Sequence, residues 1–257
     1  MLIKADISED GVLRITIQRA EKRNALNEGV IAELKQVLDA SCDDPELRLV
    51  VLTGAGDKAF ASGGDLKELS AICDLAGATA MSDRFRSVLD RLRNFSVPVI
   101  AALNGDALGG GAELAMACDM RIADSRARFG FLQGKLAIST AWGGGIDLIR
   151  EIGVGHALRL LAGAEILTAE AARDVGLFEA VAPADASFDD FVDAYCDRLA
   201  NCTPKVMRAF KALASAHRRG EGHAVLQQIE TQHFARTWID VDHWRAVDAS
   251  LGRAGRE

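Results

Sequence analysis

The chain has 257 residues, of which 49% are apolar and 26% charged, with 30 basic residues against 37 acidic ones and a formal net charge of −7. The acidic balance argues against a nucleic-acid binder, whose contact surface is basic, and no run of about 18 apolar residues marks a membrane span. The five cysteines (Cys42, Cys73, Cys118, Cys196 and Cys202) form no CxxC pair, and no basic-then-apolar leader opens the chain, so reduced thiols and a cytoplasmic location are the expectation.

In chain order, VLRITI (12–17) is β-rich and reads as a strand, and VIAELKQVLDA (30–40) places Ile31, Leu34, Val37 and Leu38 at helical spacing. LVVLTG (49–54) is a short apolar run ending at glycine, the pattern of a buried strand. Phe85, Val88, Leu89 and Leu92 repeat the helical period. PVIAALNG (98–105) and DMRIAD (119–124) read as further buried strands, the first stopped by Asn-Gly. Beyond Gly143 the chain turns helical. GIDLIREIG, HALRLLAG and TAEAARDVG each end at or near glycine, with Thr168 as an N-cap, and PKVMRAFKALASAHR (204–218) opens on a first-turn proline. Strands alternating with helices, followed by helices alone, point to an α/β domain with a helical C-terminal part.

One pattern occurs twice. VVLTGAGDKAFASGGDLKEL (50–69) and VIAALNGDALGGGAEL (99–114) both run strand, loop, glycine pair, acidic residue, apolar helix. A helix N-terminus carries free N–H groups, and glycine lets a ligand approach them closely. Two such loops on neighbouring strands could aim two N–H groups at one oxygen. Each loop read alone is as compatible with a tight turn, and Glu113 with a carboxylate pointing to water. A P-loop lacks its GK[ST], a dinucleotide fingerprint would need glycine where Leu114 stands, and neither GxSxG nor HExxH occurs.

FASGGDLKEL (60–69) resembles the first motif of the crotonase (enoyl-CoA hydratase/isomerase) superfamily, and NGDALGGGAELAMACDMRIA (104–123) its second. KRNALN (22–27) resembles the segment that packs at the CoA adenine, and ARFGFLQGKLAISTAWGGGIDLIREIG (127–153) lines up with the third motif without a gap. The resemblance covers nearly the whole chain. It implies a spiral of β-β-α repeats over 1–195 and a C-terminal helical region over 196–257 that drives assembly into a homotrimer or dimer of trimers. It further implies an acyl-CoA thioester substrate, no metal and no permanently bound cofactor. By position it makes Gly64 and Gly110 the oxyanion donors and Glu113 a catalytic acid/base. It places Lys22, Asn24, Ala25, Leu26, Ala61, Gly63, Asp65, Leu66, Trp142, Gly143 and Arg253 along the acyl-CoA path.

The sequence departs from the family at three places. FGFLQ (129–133) puts Gln133 where a hydratase has its second catalytic glutamate, and an amide neither takes nor releases a proton near neutral pH. Gln133 is then expected to orient water or substrate, while isomerisation or decarboxylation of a malonyl-type thioester, which need one acid/base, become rivals to hydration. So does a CoA-binding member without activity. STAWGGG (139–145) carries Trp142 in place of a small residue. It is expected to wall the acyl pocket, although a tryptophan near this point also occurs in some acyl-CoA decarboxylases. Ser250 stands where the family often has an aromatic, with Arg253 keeping a positive charge nearby. Other polar residues take plainer expectations. Asp147 is a solvated helix residue, Asp65 holds its loop, Asp119 is structural, and Lys22, Arg23, Lys58 and Lys67 are solvated. His156, His217, His223, His233 and His243 are surface or satisfied residues.

Overall fold

The computed structural model describes residues 1–252. Ten strands form two sheets: β1 (Ile3–Ile7), β2 (Val12–Ile17), β3 (Leu49–Gly54), β4 (Ala59–Ala61), β5 (Val99–Leu103), β6 (Asp106–Leu108), β7 (Met120–Ala123), β8 (Arg128–Gly130), β9 (Ile166–Thr168) and β10 (Ala180–Val181). The larger sheet has the order β1-β2-β3-β5-β7-β10 and is parallel except for the β1–β2 hairpin; the smaller has the order β4-β6-β8-β9. Between and after the strands lie α1 (Glu28–Ser41), α2 (Leu66–Leu69), α3 (Leu75–Arg93), α4 (Gly110–Ala117), α5 (Gly144–Gly163), α6 (Ala169–Asp174), α7 (Phe188–Ala200), α8 (Pro204–Arg218), α9 (His223–Trp238) and α10 (Val241–Ser250).

The apolar runs at 49–54 and 98–105 are continuous rather than alternating because the large sheet is covered on both faces. Val50 and Leu52 join the main core with α1, α3 and α4, while Leu49 and Val51 join a second core with Val192 and Cys196 of α7 and Met207 of α8. The repeated pattern is structural: β3 lies parallel to β5 in the large sheet and β4 parallel to β6 in the small one. The two strand pairs therefore bring their glycine loops to the same side. Thr168 accepts the N–H of Ala171 and caps α6. Within α5, Gly153 has non-helical dihedrals at φ 76° and ψ 164°, which accounts for two glycine-stopped helical patterns inside one element. All five cysteines are free, and no helix among the described residues is long and apolar enough to cross a membrane.

Helix α8 is tied to the large sheet by a buried charge. Lys211 Nζ donates to both oxygens of Asp119 at 2.6 Å and to the Arg93 carbonyl at 3.0 Å, and Asp119 Oδ2 also accepts the Val99 N–H at 2.8 Å. Burial pushes the Lys211 ammonium below its ordinary pKa, against the pull of Asp119. Breaking a buried pair strands the remaining charge. Lys211→Ala is expected to cost about 3 kcal/mol in urea unfolding, and a loss within error would mean that the apolar face of α8 and its Ser215 and Arg218 hydrogen bonds dock it without the buried pair.

Candidate active site

The segment 23–26 runs alongside the first glycine loop. Ser62 N–H donates to the Arg23 carbonyl at 3.0 Å, Leu26 N–H to the Gly63 carbonyl at 2.8 Å, and Asp65 N–H to the Leu26 carbonyl at 2.8 Å. This parallel bridge between Leu26 and Gly64 uses the groups on either side of Gly64. The Gly64 N–H itself meets no acceptor among the described residues. Gly110, at the N-terminus of α4, also has an N–H without an acceptor there, as the first turn of a helix dictates. The loops abut: a Cβ placed on Gly63 would lie 3.5 Å from Gly110 N. Gly109, with φ 55° and ψ −118°, makes the turn into α4 in a region closed to other residues.

Trp142 lies over both glycines. A Cβ on Gly110 would come 2.1 Å from Trp142 Cζ3, and one on Gly64 would come 3.5 Å from Trp142 Cη2. The indole is itself fixed by stacking on Phe85, with ring centroids 4.5 Å apart. So the ring that lies against these backbones tolerates no side chain at Gly110.

Glu113, one turn into α4, is 2% exposed. The carboxylate has no cationic partner among the described residues and is held by four neutral donors. Oε2 accepts the N–H of Trp142 at 2.8 Å and of Gly144 at 3.0 Å; Oε1 accepts Gln133 Nε2 at 3.0 Å and, at a long 3.4 Å, the N–H of Ala141. Burial raises its pKa above the ordinary carboxylate range, and the donors only partly offset this. Oε2 is saturated by two short bonds, so Oε1 is the oxygen with room for another partner. Because the carboxylate demands a donor, the amide nitrogen of Gln133 faces it, which leaves Gln133 Oε1 buried with no partner. The arrangement thus joins two N–H groups and one amide carbonyl without partners among the described residues and a buried carboxylate of raised pKa.

A family model for enoyl-CoA hydratase/isomerase matches residues 8–247. The chain belongs to this enoyl-CoA hydratase/isomerase, or crotonase, family. It is 40% identical over 173 residues to a short-chain-enoyl-CoA hydratase of Clostridium acetobutylicum, a match covering 67% of this chain and 66% of that protein. It is 36% identical over 240 residues to a 2,3-dehydroadipyl-CoA hydratase of Escherichia coli, covering 93% and 92% of the two chains. The fold superposes on the crystal structure of an enoyl-CoA hydratase from Bacillus anthracis with a TM-score of 0.91 at 30% identity, covering 100% of this chain and 98% of the other.

The other residues that the family resemblance singled out are placed differently from one another. Ala25, Leu26, Ala61 and Gly63 form the first loop's bed, and Gly143 with φ 94° starts α5. Asn24 is buried and turned inward, with Nδ2 donating to the carbonyls of Ala55 and Ala59. Leu66 is exposed, and Lys22 is half-exposed and paired with Asp65 at 3.4 Å. Arg253 lies outside the described residues. Two expectations are corrected. Asp147 is not solvated: it is 6% exposed and accepts Arg93 Nε at 2.8 Å, a buried pair against the 141–144 loop. His243 is not fully satisfied, since its buried Nε2 has no hydrogen-bond partner among the described residues. Sequence reasoning also missed Arg93, Arg86 and Ser82, whose side chains reach the outer side of that loop. An arginine or serine on an exposed helix face carries no signal of it.

Asp65 holds the first loop from behind. The Arg19 guanidinium donates to Asp65 Oδ2 at 2.9 Å, both side chains being buried, and this bond holds the carboxyl down at about 2. An unfolded aspartate titrates near 3.9, so the stability this pair contributes is complete above about pH 4 and is lost as pH falls toward 2. Asp65→Asn is expected to be less stable than wild type at pH 6 and to lose less stability between pH 5 and pH 3. Equal urea midpoint shifts over that interval would contradict the assignment.

Proposed function

We propose that the protein adds water to, or moves the double bond of, a short enoyl-CoA thioester, with Gly64 and Gly110 as the oxyanion donors and Glu113 as the only acid/base. The observation that carries this reading is the pair of unpaired N–H groups on abutting loops beside one buried carboxylate whose Oε1 holds one short hydrogen bond and one long one. When a nucleophile attacks the β-carbon, charge moves onto the thioester oxygen, and fixed N–H dipoles stabilise it without titrating. Glu113 Oε1 takes a proton from water, the water oxygen bonds to the β-carbon, and the same carboxyl returns the proton to the α-carbon on the same face. Isomerisation uses the same group: a proton leaves the γ-carbon for Glu113 and is redelivered at the α-carbon, the enolate being held in between. Gln133 donates to Oε1 and offers its free carbonyl to a hydrogen of the water, so it orients the nucleophile without exchanging protons.

Trp142 supports a short acyl group, because its indole fills the space beside both donors. The same ring favours a second reading, decarboxylation of a malonyl-type thioester, in which the oxyanion pair holds the enolate left by departing carbon dioxide. A CoA-binding member without turnover is opposed by the raised pKa and open oxygen of Glu113. Residues 1–195 would bind the acyl-CoA, and residues 196–257 would assemble a homotrimer or dimer of trimers in the cytoplasm. The exposed Phe210, Phe234, Trp238 and Ile239 of the C-terminal helices and the segment after them support that assembly.

Two experiments test the reading. In a crotonyl-CoA assay following loss of enoyl-thioester absorbance, Glu113→Gln is expected to lower kcat by about 10²–10⁴-fold; undiminished turnover would remove Glu113 from the chemistry. If neither crotonyl-CoA nor its 3-enoyl isomer turns over while methylmalonyl-CoA releases carbon dioxide, the decarboxylase reading replaces this one. Trp142→Ala is expected to raise kcat/KM for an eight-carbon enoyl-CoA relative to crotonyl-CoA by at least about tenfold, the scale of a few methylenes in an apolar pocket. An unchanged ratio would show that the indole does not set chain length.

A further inference from the structure

The loop that holds Glu113 is gripped on its other side by helix α3. Ala141 O accepts Arg86 Nη2 at 2.7 Å and Ser82 Oγ at 2.9 Å, and the two side chains bond each other at 3.0 Å. One peptide on, Trp142 O accepts Arg93 Nη2 at 3.0 Å. The Ala141 carbonyl and the Trp142 N–H belong to a single planar peptide group. That N–H is the shortest donor to Glu113, at 2.8 Å to Oε2. One peptide therefore carries a guanidinium and a hydroxyl on its oxygen and the carboxylate on its hydrogen.

We propose that Arg86, seconded by Ser82, is a positioning residue for Glu113, acting through the 141–142 peptide to orient the carboxylate and to strengthen the bond that holds its charged form. Hydrogen bonds in series polarise one another, and a cation on the carbonyl makes the N–H at the other end a better donor. The grip also fixes the plane of the peptide, which decides whether Oε2 keeps its two short bonds and Oε1 stays the less tightly held oxygen. Among the described residues, no charged side chain bonds Glu113 directly. On α3 the neighbouring charges are Asp83, which pairs with Arg86 at 3.5 Å, and Asp90, which pairs with Arg93 at 2.7 Å. Asp147 of α5 accepts Arg93, the 133–136 turn offers the neutral Gln133, and α4 brings no second ionisable residue. Arg93 is buried in this pairing and serves the fold as well, whereas Arg86 is 44% exposed and can be changed without opening the core.

This inference rests on Glu113 being the acid/base, but its test reads the carboxyl directly. Protein labelled with ¹³C at the glutamate carboxyl carbon is titrated by NMR, Glu113 being assigned by the signal lost in Glu113→Gln. In Arg86→Ala the Glu113 pKa is expected to rise by about one unit, with Arg86→Lys falling between and Ser82→Ala moving in the same direction. The acid limb of kcat on crotonyl-CoA should move up with it, with KM little changed. Arg84→Ala removes a charge of the same sign from the same helix, where Arg84 only pairs with Glu28 at 2.7 Å, and should leave the titration in place. A Glu113 pKa unchanged in Arg86→Ala, or moved equally by Arg84→Ala, overturns the peptide relay. A titration that shifts as expected in a protein whose turnover survives Glu113→Gln upholds the relay and overturns the proposed function instead.

Discussion

A carboxylate buried without a cation must be solvated by the protein itself, and at Glu113 that demand shapes everything nearby. The four donors come from three successive turns of chain: Gln133, then Ala141 and Trp142, then Gly144 at the start of α5. Gly144 is glycine because a Cβ there would lie 2.6 Å from Glu113 Cα and Cγ. The loop that delivers the donors needs its own carbonyls satisfied, and α3 and the buried Arg93–Asp147 pair do this from outside. Neutral donors leave the group proton-active. A salt bridge would have pinned it as a permanent anion, as Arg19 does to Asp65. Two acidic residues at the ends of repeated glycine loops thus acquire opposite characters from their partners: Asp65 is structural and strongly acidic, Glu113 is raised by burial and fit to exchange a proton.

The second constraint is backbone approach. Because β4 lies beside β6, the two loops leave their sheet side by side. A Cβ on Gly111 would sit 1.9 Å from the Ala61 carbonyl oxygen, so α4 presses directly on β4. This closeness, rather than loop flexibility, is what brings the Gly63–Gly64 loop against the N-terminus of α4. Trp142 has two separate contacts here: its N–H anchors Glu113, and its indole lies against Gly64 and Gly110.

Most of this was legible where the sequence has long periodic or continuous apolar segments. The helix over 204–218 and the strands over 12–17 and 49–54 have the bounds that their patterns mark. The repeated strand–glycine–acid layout corresponds to adjacent parallel strands in both sheets. The small sheet was not legible, because strands of three residues are too short to show alternation. Nor was the charge network: Asp147 in an amphipathic helix reads as solvated, and only the fold shows that Arg93, 54 residues earlier, meets it. Ser82 and Arg86, at i and i+4 on one face of α3, read as ordinary solvent-facing residues until the 139–145 segment is folded against them.

The central claim is that two backbone N–H groups converge on the thioester oxygen, and the carbonyl itself reports this most directly. The infrared stretch of a ¹³C=O-labelled enoyl-CoA, bound to Glu113→Gln so that it is not consumed, is the measurement to make. The account requires a clear shift to lower frequency relative to the thioester in water, as expected of a carbonyl polarised by two fixed donors. A bound thioester whose carbonyl stretch matches solution would contradict it, because the glycine loops would then be turns and no more.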